Sequence, residues 1–152
     1  MERKEQLAHL DELMPLIKEQ LGEGKSVTFF PRGVSMLPML RQGIDSVVFS
    51  PITKPLVKYD LPLYQYPDGK YFLHRIVSVK EDYFICLGDN TYRYEKVKPE
   101  YAVAVVTSFK RGRKVISVNT WHYRLYCRVW VCSYPLRHLI KRGIGWIGRC
   151  IR

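Results

Sequence analysis

Between residues 26 and 118, short apolar runs alternate with turn-forming residues, and this alternation constrains the fold more than any other feature. The runs are five to seven residues long and rich in Val, Ile, Phe and Tyr, as in 46–50, 71–77 and 83–87. Gly, Pro and Asp cluster between them, and such clusters form tight turns. Short strands separated by tight turns are typical of antiparallel sheets that close on themselves. The sequence therefore predicts a mainly β fold, built as an antiparallel, partly closed β-barrel.

Two features of the runs bear on how the strands pair. Pro62 interrupts the run 61–66, and because proline cannot donate a ladder hydrogen bond, we expect an edge or irregular strand there. The apolar run 101–109 is followed by the basic turn 110–113 and then by 114–118. That order predicts a hairpin.

The N-terminal segment has the periodicity of a helix. Apolar residues recur every three or four positions over 4–21, with Glu and Lys between them: Leu7, Leu10, Met14, Ile17 and Leu21. Pro15 is expected to kink this helix or divide it into two short ones. The chain is thus expected to comprise an N-terminal helical segment (1–24), a β domain (25–119) and a basic helical tail (120–152).

The tail holds most of the positive charge of the chain. The net charge is +11, and residues 121–152 carry seven Arg and Lys residues and no acid. We expect helices on both sides of Pro135, with an apolar stripe formed by Leu136, Ile140, Ile144, Ile147 and Ile151. Basic amphipathic helices bind anionic membrane surfaces. Residues 136–152 therefore have two open interpretations: docking on such a surface or on a partner, and packing against the chain's own β domain.

The run 30–40 places Ser35 among apolar residues, between a glycine and a proline. Gly33 permits a sharp turn or a close approach because it has no Cβ, and Pro38 ends regular strand pairing. Met36 and its apolar neighbours are suited to line a pocket beside the Ser35 hydroxyl. On these residues alone, a serine at the edge of a substrate cleft and a serine that caps a helix both remain open.

Two later stretches add a base and an acid. His74-Arg75-Ile76 lies in the apolar run 71–77, which we expect to be one buried strand, and Gly88-Asp89-Asn90 follows the strand 83–87. These two motifs and Gly33-Val34-Ser35-Met36-Leu37-Pro38 resemble, in residue type and in order, the superfamily of serine peptidases that contains signal peptidase I and the LexA-like self-cleaving repressors. The resemblance covers residues 27–107.

The resemblance implies a catalytic site as well as the barrel. Ser35 would be the nucleophile and His74 the general base, in the position where most bacterial members have lysine. In the histidine branch, an acid six residues beyond the Gly-Asp aspartate orients the base, and that position here is Glu95. Either Glu95 or Asp89 would be the third member, with Glu95 preferred and Asp89 as a supporting residue of the turn. Gly33, Met36 and Pro38 would contact the substrate.

The remaining sequence features limit other functions. The four cysteines lack the paired spacing of zinc ligands, and we expect neither a metal nor a cofactor. No run free of Asp, Glu, Lys and Arg exceeds nine residues, whereas a membrane-spanning helix needs about 20 apolar residues. We therefore expect a cytoplasmic protein, with a peripheral position on the inner face of the membrane as an option. The basic stretch 110–114 lacks the aromatic platform of single-strand binders, which argues against nucleic acid.

Two classes of function follow. The first is a serine endopeptidase that cleaves a peptide or leader sequence through an acyl-enzyme on Ser35. The second is a catalytically inactive module on the same fold that binds a peptide or a membrane. Self-cleavage is a weaker option because the chain has no Ala-Gly dipeptide. The sequence leaves the oligomeric state open.

Overall fold

The structure is a computed structural model that describes residues 10–141 of the 152-residue chain. Antiparallel strands dominate it, and a helix lies at each end of the strand region. The elements in chain order are α1 (Leu10–Gly22), β1 (Val27–Phe29), β2 (Ser46–Ser50), β3 (Pro62–Gln65), β4 (Tyr71–Leu73), β5 (Arg75–Val79), β6 (Phe84–Leu87), β7 (Glu95–Val97), a 3₁₀ turn (Pro99–Tyr101), β8 (Ala102–Arg111), β9 (Lys114–Ser117) and α2 (Trp121–Cys132). Residues 134–141 are again helical.

The strands form two antiparallel sheets. The larger sheet has the order β1-β2-β8-β3-β4, and β9 also pairs with β8. The smaller sheet has the order β5-β6-β7. Over residues 10–141 the strand pairing forms no closed barrel, and β1 and β4 are the edges of the larger sheet's strand path. The mainly antiparallel β fold is therefore confirmed, as is the hairpin of β8 and β9, in which Arg111 pairs with Lys114.

The run 71–77 is not the single strand that the sequence predicted. It divides at His74, because β4 pairs with β3 in the larger sheet while β5 pairs with β6 in the smaller one. Backbone hydrogen bonds from Ile76 N–H to the Asp60 carbonyl and from Tyr59 N–H to the Ile76 carbonyl, 2.9 and 2.8 Å long, anchor the start of β5. His74 is thus the buried residue at the corner where the chain passes between sheets.

Both prolines that were expected to disturb regular structure are accommodated. Pro62 is the first residue of β3, and β3 lies between β8 and β4, so the strand is not at an edge. The other expectation, an irregular strand, is confirmed, because the register of β3 with β8 shifts between Leu63 and Tyr64. The first position of a strand tolerates a residue without an N–H. Pro15 lies inside one continuous helix, α1. Its exposed position lets water satisfy the carbonyl that its missing N–H leaves unpaired.

The core has two parts. The main cluster joins one face of α1 to the larger sheet and to α2, through Met14, Ile17, Leu21, Val47, Phe49, Leu63, Val106, Tyr123 and Cys127. A smaller cluster lies under β5, β6 and β7 and contains Tyr64, Ile76, Phe84, Cys86 and Val97. The three cysteines in residues 10–141 (Cys86, Cys127 and Cys132) are free thiols.

Parts of two predictions fall outside the described residues: the helix expected over 4–9, and the stripe and basic residues expected over 142–152. Within residues 10–141, no helix is both long enough and apolar enough to cross a bilayer.

Candidate active site

Ser35 lies in the turn-rich segment between β1 and β2, and the turn after β6 holds its backbone. Asn90 N–H donates a 2.7 Å hydrogen bond to the Ser35 carbonyl, and Asn90 Nδ2 donates to the Val34 carbonyl at 3.1 Å. A Cβ on Gly88 would lie 2.8 Å from the Ser35 carbonyl oxygen. Gly88 is therefore required for this approach, since no residue with a side chain fits there. The Gly-Asp-Asn turn, 53 residues away in sequence, thus fixes the serine segment.

Glu95 holds the imidazole of His74. Glu95 begins β7, and its Oε2 lies 2.7 Å from His74 Nδ1. Tyr64 of β3 donates its hydroxyl hydrogen to the same carboxylate oxygen and lies 3.1 Å from His74 Nδ1. Because an ionised carboxylate only accepts hydrogen bonds, Nδ1 carries the ring hydrogen, and Nε2 of the neutral ring is left as the basic nitrogen.

The surroundings keep Glu95 ionised. Burial alone would raise the pKa of the Glu95 carboxyl, but hydrogen bonds from His74 and Tyr64 and electrostatic interactions with His74 and Arg93 outweigh burial and lower it. Burial and the Glu95 carboxylate raise the pKa of the Tyr64 hydroxyl. The same two causes raise the pKa of the Cys86 thiol to about 12, so Cys86 is an inert core thiol rather than a nucleophile.

Ser35 and His74 line the same cavity, which has a volume of about 360 Å³. Its walls are mostly apolar and come from β1 to β4 and the serine segment, through Phe29, Met36, Leu40, Phe49, Leu63 and Leu73. Gly33 also lines the cavity, whereas the exposed Pro38, which follows a cis peptide bond, does not. Two of the three residues predicted to contact substrate are thus at the cavity.

The nucleophile and base candidates are not hydrogen-bonded to each other. Over residues 10–141, neither Ser35 Oγ nor His74 Nε2 has a protein hydrogen-bond partner. That described region also contains no side-chain nitrogen or oxygen that is both buried and unpartnered. His74 Nε2 is therefore not fully buried, and since His74 lines the cavity, water can reach this nitrogen. Catalytic hydrogen bonds are often long in ligand-free enzymes and shorten when substrate binds.

Asp89 lies away from the imidazole and pairs with Arg75. Two hydrogen bonds join them, from Arg75 Nε to Oδ1 at 2.8 Å and from Nη2 to Oδ2 at 2.7 Å. The side chains are 0% and 2% exposed. Burial opposes the arginine charge, but the hydrogen bonds and the charge of Asp89 raise the pKa of Arg75 well above its ordinary value. The two acids predicted for one site therefore contact different bases.

Helix α2 completes the environment of this ion pair. Arg75 Nη1 donates to the Tyr123 hydroxyl at 2.8 Å, and the Tyr126 hydroxyl donates to Asp89 Oδ2 at 3.1 Å. Trp130 Nε1 and Arg137 Nη1 each donate to the Asp89 carbonyl at 3.0 Å. The C-terminal helices thus fix the position of the Gly88-Asp89-Asn90 turn, and this turn hydrogen-bonds the serine segment.

Sequence reasoning did not identify Tyr64, nor the role of Arg75. Tyr64 lies in a run that carries no motif, so only the fold reveals its contact with Glu95. Arg75 was visible beside His74, and its position in a buried run was a signal, because a buried arginine needs an acidic partner. Residues 10–141 contain no group of three His, Cys, Asp or Glu side chains placed to hold a metal ion.

Comparison of the chain with protein-family models, with curated proteins and with solved structures finds no match.

Proposed function

We propose that this protein is a serine endopeptidase in which Ser35 is the nucleophile, His74 the general base and Glu95 the residue that orients the base. One observation carries the proposal: a histidine held by a partly buried carboxylate lines the same apolar cavity as Ser35, and its Nε2 atom makes no hydrogen bond within residues 10–141. This is the chemistry that an activated serine needs.

The proposed reaction follows from these groups. Ser35 Oγ attacks the carbonyl carbon of the scissile peptide while His74 Nε2 takes the hydroxyl proton. Collapse of the tetrahedral intermediate breaks the carbon–nitrogen bond, and His74 returns the proton to the leaving amine. Water then attacks the acyl-enzyme carbonyl while His74 Nε2 takes a proton from it, and His74 returns that proton to Ser35 Oγ as the acyl group leaves. Glu95 stabilises the imidazolium that forms in each half-reaction.

The backbone supports an oxyanion site at the serine. No acceptor within residues 10–141 takes the Ser35 N–H, so this donor is available to the oxyanion of the intermediate. A neighbouring donor, the Gly33 N–H, is instead taken by Gln42 Oε1 at 3.0 Å.

The substrate in this proposal is an extended peptide. The edge strands β1 and β4 both contribute walls to the cavity, and an extended peptide can add to an exposed edge through backbone hydrogen bonds. The apolar lining suits an apolar side chain next to the scissile bond. The arrangement of two edges about one cleft also supports the finer fold assignment, a partly closed barrel of the signal peptidase type.

A fluorophosphonate probe tests the proposal. The parent chain should be labelled on Ser35, Ser35→Ala should lose the label, and Ser26→Ala, a matched serine control directly before β1, should keep it. Intact-mass measurement and peptide mapping locate the adduct. If a natively folded parent stays unlabelled at high probe concentration, the chain is not a serine peptidase.

A second candidate function is a non-catalytic peptide-binding module. The missing Ser35–His74 hydrogen bond favours it. Labelling and cleavage distinguish the two functions. If the chain is a binding module, the parent and Ser35→Ala bind peptides with equal affinity, and neither protein is labelled by the probe or cleaves a peptide.

A further inference from the structure

The two C-terminal helical segments expose apolar side chains on their outer faces. In α2 these are Trp121, Leu125 and Val129, spaced four residues apart and therefore on one face. In 134–141 they are Leu136, Leu139 and Ile140. All six are 52–67% exposed. Large apolar surfaces exposed to water mark sites of interaction. We therefore expect a partner or a membrane to bind these six side chains, which together are called the outer face of 121–141.

The inner faces of these segments are already used, which fixes the direction of the outer ones. Tyr123 and Cys127 of α2 belong to the main core. Trp130 of α2 and Arg137 of the next segment donate to the same acceptor, the Asp89 carbonyl. Because both inner faces converge on one atom, both outer faces point away from the β domain. Packing against the chain's own core therefore does not cover them.

The charge beside the outer face is mainly positive. Residues 121–141 contain four basic residues and no acid. Arg124 and Arg128 are exposed and follow the apolar positions by three residues, at the border of the outer face. Lys58 joins them around a shallow depression of about 220 Å³. Asp60 is the one acid among the described residues that line this depression.

From this placement we infer that the outer face of 121–141 docks on the surface of an anionic lipid bilayer. An apolar face bordered by Arg or Lys, with a tryptophan at one end, combines burial in the acyl boundary with attraction to anionic headgroups. A protein partner or a second copy would have to match the charges of Arg124 and Arg128 with acids, whereas an anionic lipid surface supplies negative charge wherever the helix lies. Docking does not depend on the peptidase chemistry.

Vesicle co-sedimentation of the full chain tests the inference. The parent should bind vesicles with about 30% phosphatidylglycerol and bind pure phosphatidylcholine far less. Arg124→Gln and Arg128→Gln should each weaken binding to the anionic vesicles about fivefold. Leu125→Gln/Val129→Gln should weaken it at least tenfold. Val115→Gln is the matched control, since Val115 on β9 is 71% exposed but lies outside the outer face, and it should bind like the parent.

Residues 142–152 stay in every variant, so their charges contribute equally throughout. Circular dichroism checks that each variant is folded. The inference is overturned if the parent ignores anionic vesicles, or if Leu125→Gln/Val129→Gln binds them as well as Val115→Gln does. It is also overturned if light scattering shows a dimer that this double variant dissociates while vesicle binding is unchanged, because the face would then be a contact between copies. Probe labelling of Ser35 is a separate readout, so failure of docking and failure of the peptidase proposal are distinguishable.

Discussion

Replacing Arg75 with methionine should destabilise the fold strongly. The guanidinium makes both short hydrogen bonds to Asp89, and neither side chain is exposed by more than 2%. Arg75→Met keeps a long side chain in the core but leaves the carboxylate, among the residues that the structure describes, with the 3.1 Å hydrogen bond from the Tyr126 hydroxyl. Removing one member of a buried ion pair costs about 3–5 kcal/mol.

Because Tyr126 still donates to Asp89, we expect the lower end of that range, about 3 kcal/mol. For a chain of this length, such a loss lowers the melting temperature by about 6–12 °C. It is also a large share of a total stability of about 5–15 kcal/mol. Urea unfolding followed by tryptophan fluorescence measures the change at a fixed pH.

Two variants make the test specific. Lys98→Met removes one member of an exposed pair, Lys98–Glu100, whose side chains are 62% and 68% exposed, and it should not measurably shift the midpoint. Arg75→Met/Asp89→Leu removes both buried charges and should lose less than the sum of the single changes. A single Arg75→Met variant within 1 kcal/mol of the parent, or strictly additive effects, would refute a structural role for this pair.

Three further predictions concern the site itself. Gly88→Ala should slow probe labelling of Ser35 at least tenfold, because the new Cβ would lie 2.8 Å from the Ser35 carbonyl oxygen. Gly22→Ala is the control and should label at the parent's rate, because its new Cβ meets no atom within 4 Å. Equal labelling rates in the two variants would contradict the close approach of Gly88 to Ser35. Glu95→Gln should slow labelling because it removes the charge that stabilises protonated His74. Folding lowers the pKa of Glu95, so its contribution to the unfolding free energy is fully present above pH ~4.3 and is lost as the pH falls through the folded-state pKa. The unfolding free energies of the parent and Glu95→Gln should therefore converge in acid. A difference that grows in acid would contradict the direction of this pKa shift.

The strand content was predictable because each strand is a local apolar run between turn residues. The hairpin of β8 and β9 follows from such a run with a Gly-containing turn. The division at His74 was not predictable, since 71–77 is uniformly apolar apart from the motif, and only pairing with two different sheets breaks it. The interior position of β3 depends likewise on β8, forty residues later.

The candidate site shows the same limit. The resemblance to the peptidase superfamily selected Ser35, His74, Asp89 and Glu95 and favoured Glu95 as the acid that orients His74, but it left Asp89 open as the alternative. Which acid contacts which base depends on side-chain contacts between β3, β5, β7 and α2, which are distant in sequence. Asp89 pairs with Arg75 rather than with His74, because a buried guanidinium needs a carboxylate partner.

The most direct measurement is a crystal structure of the chain after reaction with a phosphonate inhibitor. We predict an adduct on Ser35 Oγ, with His74 Nε2 about 3 Å from it and Nδ1 still hydrogen-bonded to Glu95. An unmodified Ser35, or an adduct with the imidazole directed away from it, would contradict the account.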